Sequence, residues 1–353
     1  MKGSSTTFET TSGVRQGGPE SPLLYNLYAN RTLEVFEERC REAGIRFVDI
    51  PYKIPVEVTG TGQAIAGILL LTWLGYANDI VLASWRQSDL EAMIDILDKV
   101  FSEYYLKLNP EKTETLILNW KLGKPCVNDK CPNTMVSLNG IPIKNLKTFK
   151  YLGAFIEFDN SSTGDVEIEH RITSAICKFY ELKPFFTNSK IKLHTRILYL
   201  ESLVRSRLMY GCQCWVLTKK QFEHVESHYI KFLRYLVKGG NQRKPELIEY
   251  TTNDGRKGTF KKLLHLNEQI KALINRPSLL DFYQNQQQNW IAHCSRAPNC
   301  SYLKKLTFEE YHPGIKKKSG ITNTTYLLVI RDAKSHGLTE SEALSMMIEK
   351  KSW

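Results

Sequence analysis

No stretch of this chain stays apolar for long. The longest such run, residues 64–74, falls well short of the roughly 20 residues that a membrane helix requires. Residues 1–12 are rich in Ser and Thr and have no apolar core, so they do not look like a signal peptide. Cysteine is sparse. Eight residues in 353, at 40, 126, 131, 177, 212, 214, 294 and 300, do not make the dense framework of a small secreted scaffold. Together these absences lead to the expectation of a soluble intracellular protein, cytoplasmic or nuclear, with reduced thiols. There is also no internal repeat, no nucleophile elbow and no glycine-rich phosphate loop.

Acidic residues are the scarcer charge, 37 against 48 Lys and Arg, which leaves a net +11. An excess of that size attracts polyanions, of which nucleic acid is the commonest, although lysine in excess can equally serve solubility alone. A hydrophobic content of 42% over this length is ample for two or three packed domains.

The periodicity predicts helices and short strands in alternation. Ser21-Pro22 reads as a helix start, with Leu24, Leu27, Tyr28 and Val35 as its apolar stripe. Ser88-Asp89-Leu90-Glu91 reads as a capping box, followed by Leu90, Ile94, Leu97 and Phe101 at helical spacing. Between these helices, Gly67 to Leu74 and Ile80 to Ala83 are β-prone runs that meet at a tight turn. Residues 114–119, 136–138 and 149–158 add further strands, and Asn139-Gly140 is a hairpin turn signal. This order implies an α+β fold with helices on one face of an antiparallel sheet. From about residue 165 the pattern becomes helical. Leu193, Ile197, Leu200, Val204 and Leu208 form one stripe; Thr218 and Gln221 cap a second, carried by Phe222, Val225, Tyr229, Leu233 and Leu236. Beyond Gly239-Gly240 the chain is more polar and ends in a helix-like segment from Thr339 to Lys350.

The turn between the two central β-prone runs is Tyr76-Ala77-Asn78-Asp79. A hairpin tip can present carboxylates to metal ions, and a site that transfers phosphoryl groups with two divalent cations needs several of them converging. This box supplies one carboxylate, Asp79, beside Asn78.

Four segments, in this order, resemble the reverse transcriptases of non-LTR retrotransposons, the LINE-type elements. Residues 12–26, Ser-Gly-Val-Arg-Gln-Gly-Gly-Pro-Glu-Ser-Pro-Leu-Leu-Tyr-Asn, are similar to the family's GVRQGDPLSPLLFN motif. Residues 76–79 are similar to its catalytic YADD box. Lys107 to Glu114 resembles the LNxxKTE motif, and Tyr151-Leu152-Gly153 resembles the primer-grip YLG. A looser likeness runs on through Met209-Tyr210-Gly211 and Trp215 to Trp290, His293, Arg296 and Pro298. The resemblance implies a partial fingers and palm over residues 1–160, a helical thumb over 161–245 and a mostly helical C-terminal region over 246–353. It also implies RNA-directed DNA synthesis with magnesium, on RNA and DNA partners. Arg15, Gln16 and Gly17 would lie near the incoming nucleotide and template. Lys112 would neutralise or protonate the outgoing pyrophosphate, Asp79 would be the remaining metal ligand, and Tyr151, Leu152 and Gly153 would grip the primer.

The departures bear on activity. The family places its first catalytic aspartate upstream of the Gly-Val-Arg-Gln-Gly motif, and the dozen residues before Gly13 hold no such segment. Asn78 stands where the family has the stricter metal-binding aspartate, Gly18 replaces an aspartate and Glu20 a leucine. Nor does the family's endonuclease domain appear. The expectation is a truncated reverse-transcriptase-like protein that has lost its chemistry. The alternatives are a non-enzymatic nucleic-acid-binding module and a relic reading frame without function.

Other features support binding rather than chemistry. Residues 107–150 hold eight lysines against three acids, a stretch that can lie on a phosphate backbone or form a solvated loop. Lys107, and the pair Lys192 and Arg196 on the face opposite the Leu193 stripe, are phosphate-contact candidates. Cys126 and Cys131, and His293-Cys294 with Cys300, are too loosely spaced to predict zinc.

Overall fold

The computed structural model describes residues 18–116, 136–157, 164–238, 247–251, 257–261, 277–308 and 324–349. They divide into two compact units. One gathers residues 18–51, 67–116 and 136–146; the other gathers 52–66, 147–157 and the described residues from 164 onward. The fold is α+β. No helix among the described residues is long and apolar enough to cross a membrane.

The first unit is built on α1 (Ser21–Glu42) and α3 (Gln87–Glu103). Leu33, Phe36 and Cys40 of α1 meet Met93, Leu97, Val100 and Phe101 of α3 in its core. Trp73, Ile80 and Leu82, from the hairpin of β3 (Trp73–Tyr76) and β4 (Asp79–Leu82), pack against that core. The α1 stripe is rotated from its predicted position. Leu24, Leu27 and Tyr28 are exposed, and the buried face runs through Ala29, Thr32, Leu33, Phe36 and Cys40. Neither predicted cap forms: Glu20 and Arg86 occupy the cap positions without side-chain bonds to the free amides. The α3 stripe is as predicted. It extends through Ile94 to Val136, Leu138 and Ile143, around β6 (Ser137–Leu138) and β7 (Ile141–Pro142).

Strands occur as two-stranded pairs rather than one sheet among the described residues. Of those outside the pair β1 (Val48–Ile54) with β2 (Ile65–Leu71), four are antiparallel. β5 (Glu114–Leu116) pairs in parallel with β8 (Lys144–Leu146).

The second unit begins with the hairpin of β9 (Thr148–Tyr151) and β10 (Ala154–Glu157). It continues through α4 (Asp165–Glu181), α5 (Lys183–Phe186) and α6 (Leu193–Tyr199), which runs through a π-helical stretch, Leu200–Arg205, into α7 (Ser206–Leu208). Then follow α8 (Lys219–Lys238) and α9 (Leu279–Arg296). Ile197, Leu200, Val204 and Leu208 enter one core with Val225, Tyr229, Leu233 and Leu236, as their spacing predicts. Phe179 joins them, its ring 5.1 Å from that of Phe186 and 4.7 Å from that of Phe232. The Thr218 cap forms: the Gln221 amide donates to Thr218 Oγ1 at 3.3 Å, and the Thr218 amide to Gln221 Oε1 at 2.9 Å.

The same unit contains β11 (Leu247–Thr251) and β12 (Lys257–Lys261), paired antiparallel, and ends in α10 (Tyr302–Thr307), α11 (Thr325–Ser335) and α12 (Glu340–Ile348). The short α2 (Val56–Thr59) is secured to this C-terminal group. Lys304, buried, donates to the Val58 carbonyl, and Asn299 Nδ2 to that of Thr59 at 2.8 Å. Both donors satisfy carbonyls that the end of α2 leaves free.

Candidate functional site

In the first unit the β3–β4 hairpin pairs Tyr76 with Asp79, so Ala77 and Asn78 form a two-residue turn. Ala77 has φ of 52°, and Asn78 is absent from the residues with positive φ. Those are the φ signs of a II′ turn, which favours glycine at the first place. Alanine there costs about 1 kcal/mol, a strain that persists only where the surroundings fix the turn. The surroundings do so: Trp73 and Ile80 are seated in the α1–α3 core, and the Gly75 backbone lies so close to Trp73 that an added Cβ would come within 3.1 Å of its ring. Residues 76–79 are all exposed. Burial raises the Tyr25 phenol above its ordinary pKa, and the neighbouring Asp79 carboxylate raises it further. The helix that carries the second half of the motif at residues 12–26 thus lies beside the hairpin tip.

Arg15, Gln16 and Gly17 lie outside the described residues. At Gly18 an added Cβ would fall 2.7 Å from Glu20 Oε1. Glu20 is exposed and this oxygen is the end of a flexible side chain, so it can yield to a side chain at 18. Lys107 and Lys112 are exposed on either side of a turn in which Asn109 Oδ1 accepts the Glu111 amide at 3.0 Å. Cys126 and Cys131 lie outside the described residues.

In the second unit, Tyr151 pairs with Ala154 and leaves Leu152-Gly153 as the turn, with φ of 47° and 84°. Side chains of the helices meet it. Tyr210 Oη donates to the Leu152 carbonyl at 3.0 Å, and Arg171 Nη2 donates to the Gly153 carbonyl. Arg171 Nε donates in turn to Glu167 Oε1 at 2.6 Å, and the Phe155 amide donates to Glu167 Oε2 at 2.9 Å. The pair is buried, with side chains 8% and 4% exposed for Arg171 and Glu167. The Arg171 guanidinium lies 4.5 Å from the Tyr210 ring centre, a cation–π distance.

Arg196 differs from its expected role. It is buried, and its guanidinium donates to the carbonyls of Ile191 at 3.1 Å, Phe186 at 2.9 Å and Leu236 at 2.7 Å. Nε and Nη1 are committed to backbone that would otherwise be unsatisfied, so burial and these bonds tie Arg196 to the interior. Lys192, just before α6, is exposed.

The reverse transcriptase (RNA-dependent DNA polymerase) family matches residues 1–156. Residues 1–156 are thus similar to a reverse-transcriptase domain. A retrovirus-related Pol polyprotein from a type-2 retrotransposable element of Drosophila melanogaster is 28% identical over 151 residues, 42% of this chain and 12% of that protein. An uncharacterized transposon-derived protein of Caenorhabditis elegans is 25% identical over 244 residues, 69% of this chain and 77% of that protein. The second likeness is longer than the matched domain, so it extends into the helical region. The chain spans only a small part of the Drosophila polyprotein. No solved structure matches.

Among the described residues of this region, the side chains do not fit a two-metal centre. The YADD-like box offers one exposed carboxylate and one neutral amide. Among the described residues no three His, Cys, Asp or Glu side chains are grouped to hold a metal ion. Sequence reasoning missed Glu167 and Arg171. Their signal was present: a Glu-x3-Arg pair set beside Ile168 and Ile172 on the buried face of α4, where unpaired charge is not tolerated.

Proposed function

We propose that this chain binds nucleic acid as a reverse-transcriptase domain holds a primer–template, and that it does not polymerise. One observation carries the reading. The hairpin of residues 76–79 keeps its strained turn and its seat in the core, while Asn78 supplies an amide where a two-metal site needs charge. Losing a metal-binding carboxylate removes about 4 kcal/mol of transition-state stabilisation, roughly a thousandfold in rate. Binding has no such requirement. It needs exposed cations, and each unit offers its own, Lys107 and Lys112 in the first and Lys192 in the second, within a chain of net charge +11.

Two measurements test the halves of the proposal separately. Anisotropy titrations with a labelled RNA–DNA primer–template should show sequence-tolerant binding that weakens steeply between about 50 and 200 mM salt. No binding at the low end would remove the binding half. Primer extension on an RNA template with Mg2+ or Mn2+ should yield no product; extension by the chain with Asn78 in place would overturn the other half.

A further inference from the structure

Three helices of the second unit end at one place. α2 stops at Thr59, α9 at Arg296 and α12 at Ile348, and all three ends border a cavity of about 370 Å3. A helix end leaves its last carbonyls without partners and carries the negative pole of the helix. Side chains of the cavity wall take those carbonyls. Lys304 donates to the Val58 carbonyl, Asn299 Nδ2 to that of Thr59 at 2.8 Å, and Arg296 Nη1 to that of Met347 at 2.8 Å. Two positive charges are thereby fixed at the cavity, one buried and one exposed: Lys304 is 3% exposed, while Arg296 faces solvent.

These bonds do not use up either cation. An ammonium has three donors and a guanidinium five. Among the described residues Lys304 has the one acceptor, Arg296 Nε and Nη2 have none, and no carboxylate pairs with either side chain. Burial lowers the Lys304 pKa, because it penalises the charged form. A buried charge of this kind needs further acceptors, and the cavity beside it is where they can enter. The volume is at the low end for small-molecule sites and equals that of about a dozen waters. One carboxylate, Glu57, belongs to the lining, and its charge also raises the Tyr326 phenol.

We infer that this cavity binds a small phosphomonoester, with Lys304 and Arg296 as the contacts to its oxygens. A carboxylate offers two oxygens, which one edge of a guanidinium fills; a phosphomonoester has a third for the ammonium. The apolar part of the lining is Val58, Ala297, Pro298 and Ile348, with no ring on which a base could stack. The body of the ester is therefore small and aliphatic. Glu57 opposes the anion, so its removal strengthens binding, whereas removal of either cation weakens it. The site requires no nucleic-acid strand and stands apart from the binding reading above.

The test uses the full chain in calorimetric titrations with inorganic phosphate and with glycerol 3-phosphate at fixed ionic strength, and a melting curve for each variant. Both probes should bind with a Kd of about 1 mM or below and raise the melting temperature, and acetate should bind at least about tenfold more weakly. Arg296→Gln should weaken phosphate binding about tenfold, and Glu57→Gln should tighten it about threefold. Lys304→Met should abolish binding, but it also frees the Val58 carbonyl and can loosen α2, so the decision rests on the other two variants, which keep Lys304 in place. A response to phosphate no larger than that to chloride at equal ionic strength would overturn the site. Equal affinity for acetate would overturn the phosphate class. Parental affinity in Arg296→Gln, or no tightening in Glu57→Gln, would overturn the contacts. A 5′-phosphorylated trinucleotide should bind no better than its 5′-hydroxyl form; a tenfold preference for the phosphorylated form would overturn the small ester in favour of a strand end.

Discussion

Replacing Arg171 by methionine should be among the most damaging single changes in the second unit. Arg171 and Glu167 have side chains 8% and 4% exposed and meet at 2.6 Å. Removing the guanidinium leaves a buried carboxylate held by the Phe155 amide and takes the Arg171 bond from the Gly153 carbonyl. Breaking a buried pair in this way costs about 3–5 kcal/mol, because the surviving charge has lost its compensation. For a unit of about 200 residues each kcal/mol lowers the melting temperature by about 2–4 °C, so a fall of about 6–20 °C is expected. The double variant Glu167→Gln, Arg171→Met removes both charges and keeps an acceptor for the Phe155 amide. It should recover most of the loss, giving a coupling energy of at least ~2 kcal/mol in a double-mutant cycle. Urea and thermal unfolding followed by far-ultraviolet circular dichroism would measure this. A loss below ~1 kcal/mol for Arg171→Met, or additive single losses, would show that solvent screens the pair as it screens a surface pair, and would refute the reasoning.

Arg196 and Lys192 should separate in the same assays. Arg196→Met leaves three carbonyls without their donor and should cost about 3 kcal/mol or more. Lys192→Ala should change stability by no more than about 0.5 kcal/mol while lowering the salt slope of nucleic-acid binding by about one; equal stability losses would contradict the burial of Arg196. Alkaline pH should destabilise both units. Burial pushes the Cys40 and Cys212 thiols up to about 12 and raises the Tyr283 and Tyr326 phenols. Each folded-state pKa lies above its unfolded value, so the folded form retains protons that the unfolded chain releases. The resulting stability is complete below about pH 8 and is lost as pH climbs through the folded values. The urea midpoint should fall between about pH 8 and about pH 10.5, and less steeply in Cys212→Val. A midpoint that holds or rises over that range would show that these groups are hydrated.

The parts of this fold that were legible in sequence are those where one residue type decides the matter locally. The β3–β4 hairpin followed from two β-prone runs around a tight turn. The α3 and α8 faces followed from Leu, Ile, Val and Phe at helical spacing, and the Thr218 cap from its Gln221 partner. The failures have nonlocal causes. On α1 the burial is carried partly by Ala29, Thr32 and Cys40, small side chains that an apolar stripe does not count, while Leu24 and Leu27 stay exposed. Arg196 looked like a surface cation because one of its acceptors, the Leu236 carbonyl, is forty residues away in sequence. The Leu152 turn was legible as a motif, but its support was not, since Tyr210 is 58 residues farther along the chain.

The two motifs that identify the domain have therefore met different constraints. At residues 76–79 every side chain is exposed, so exchanging a carboxylate for an amide at Asn78 alters the charge offered to a ligand and leaves the α1–α3 core untouched. Chemistry can be lost there without loss of fold. At Leu152-Gly153 the turn is joined to a buried ion pair, and such a pair is weak evidence of net stability, because hydrophobic residues of similar size commonly serve as well or better. Its distinctive contribution is directional: Arg171, fixed by Glu167, bonds one turn carbonyl and stacks over the ring whose hydroxyl bonds the other. A hydrophobic replacement could fill the same volume, but it could not hold a leucine in a left-handed turn. The arrangement is better explained by the conformation it imposes than by the stability it adds.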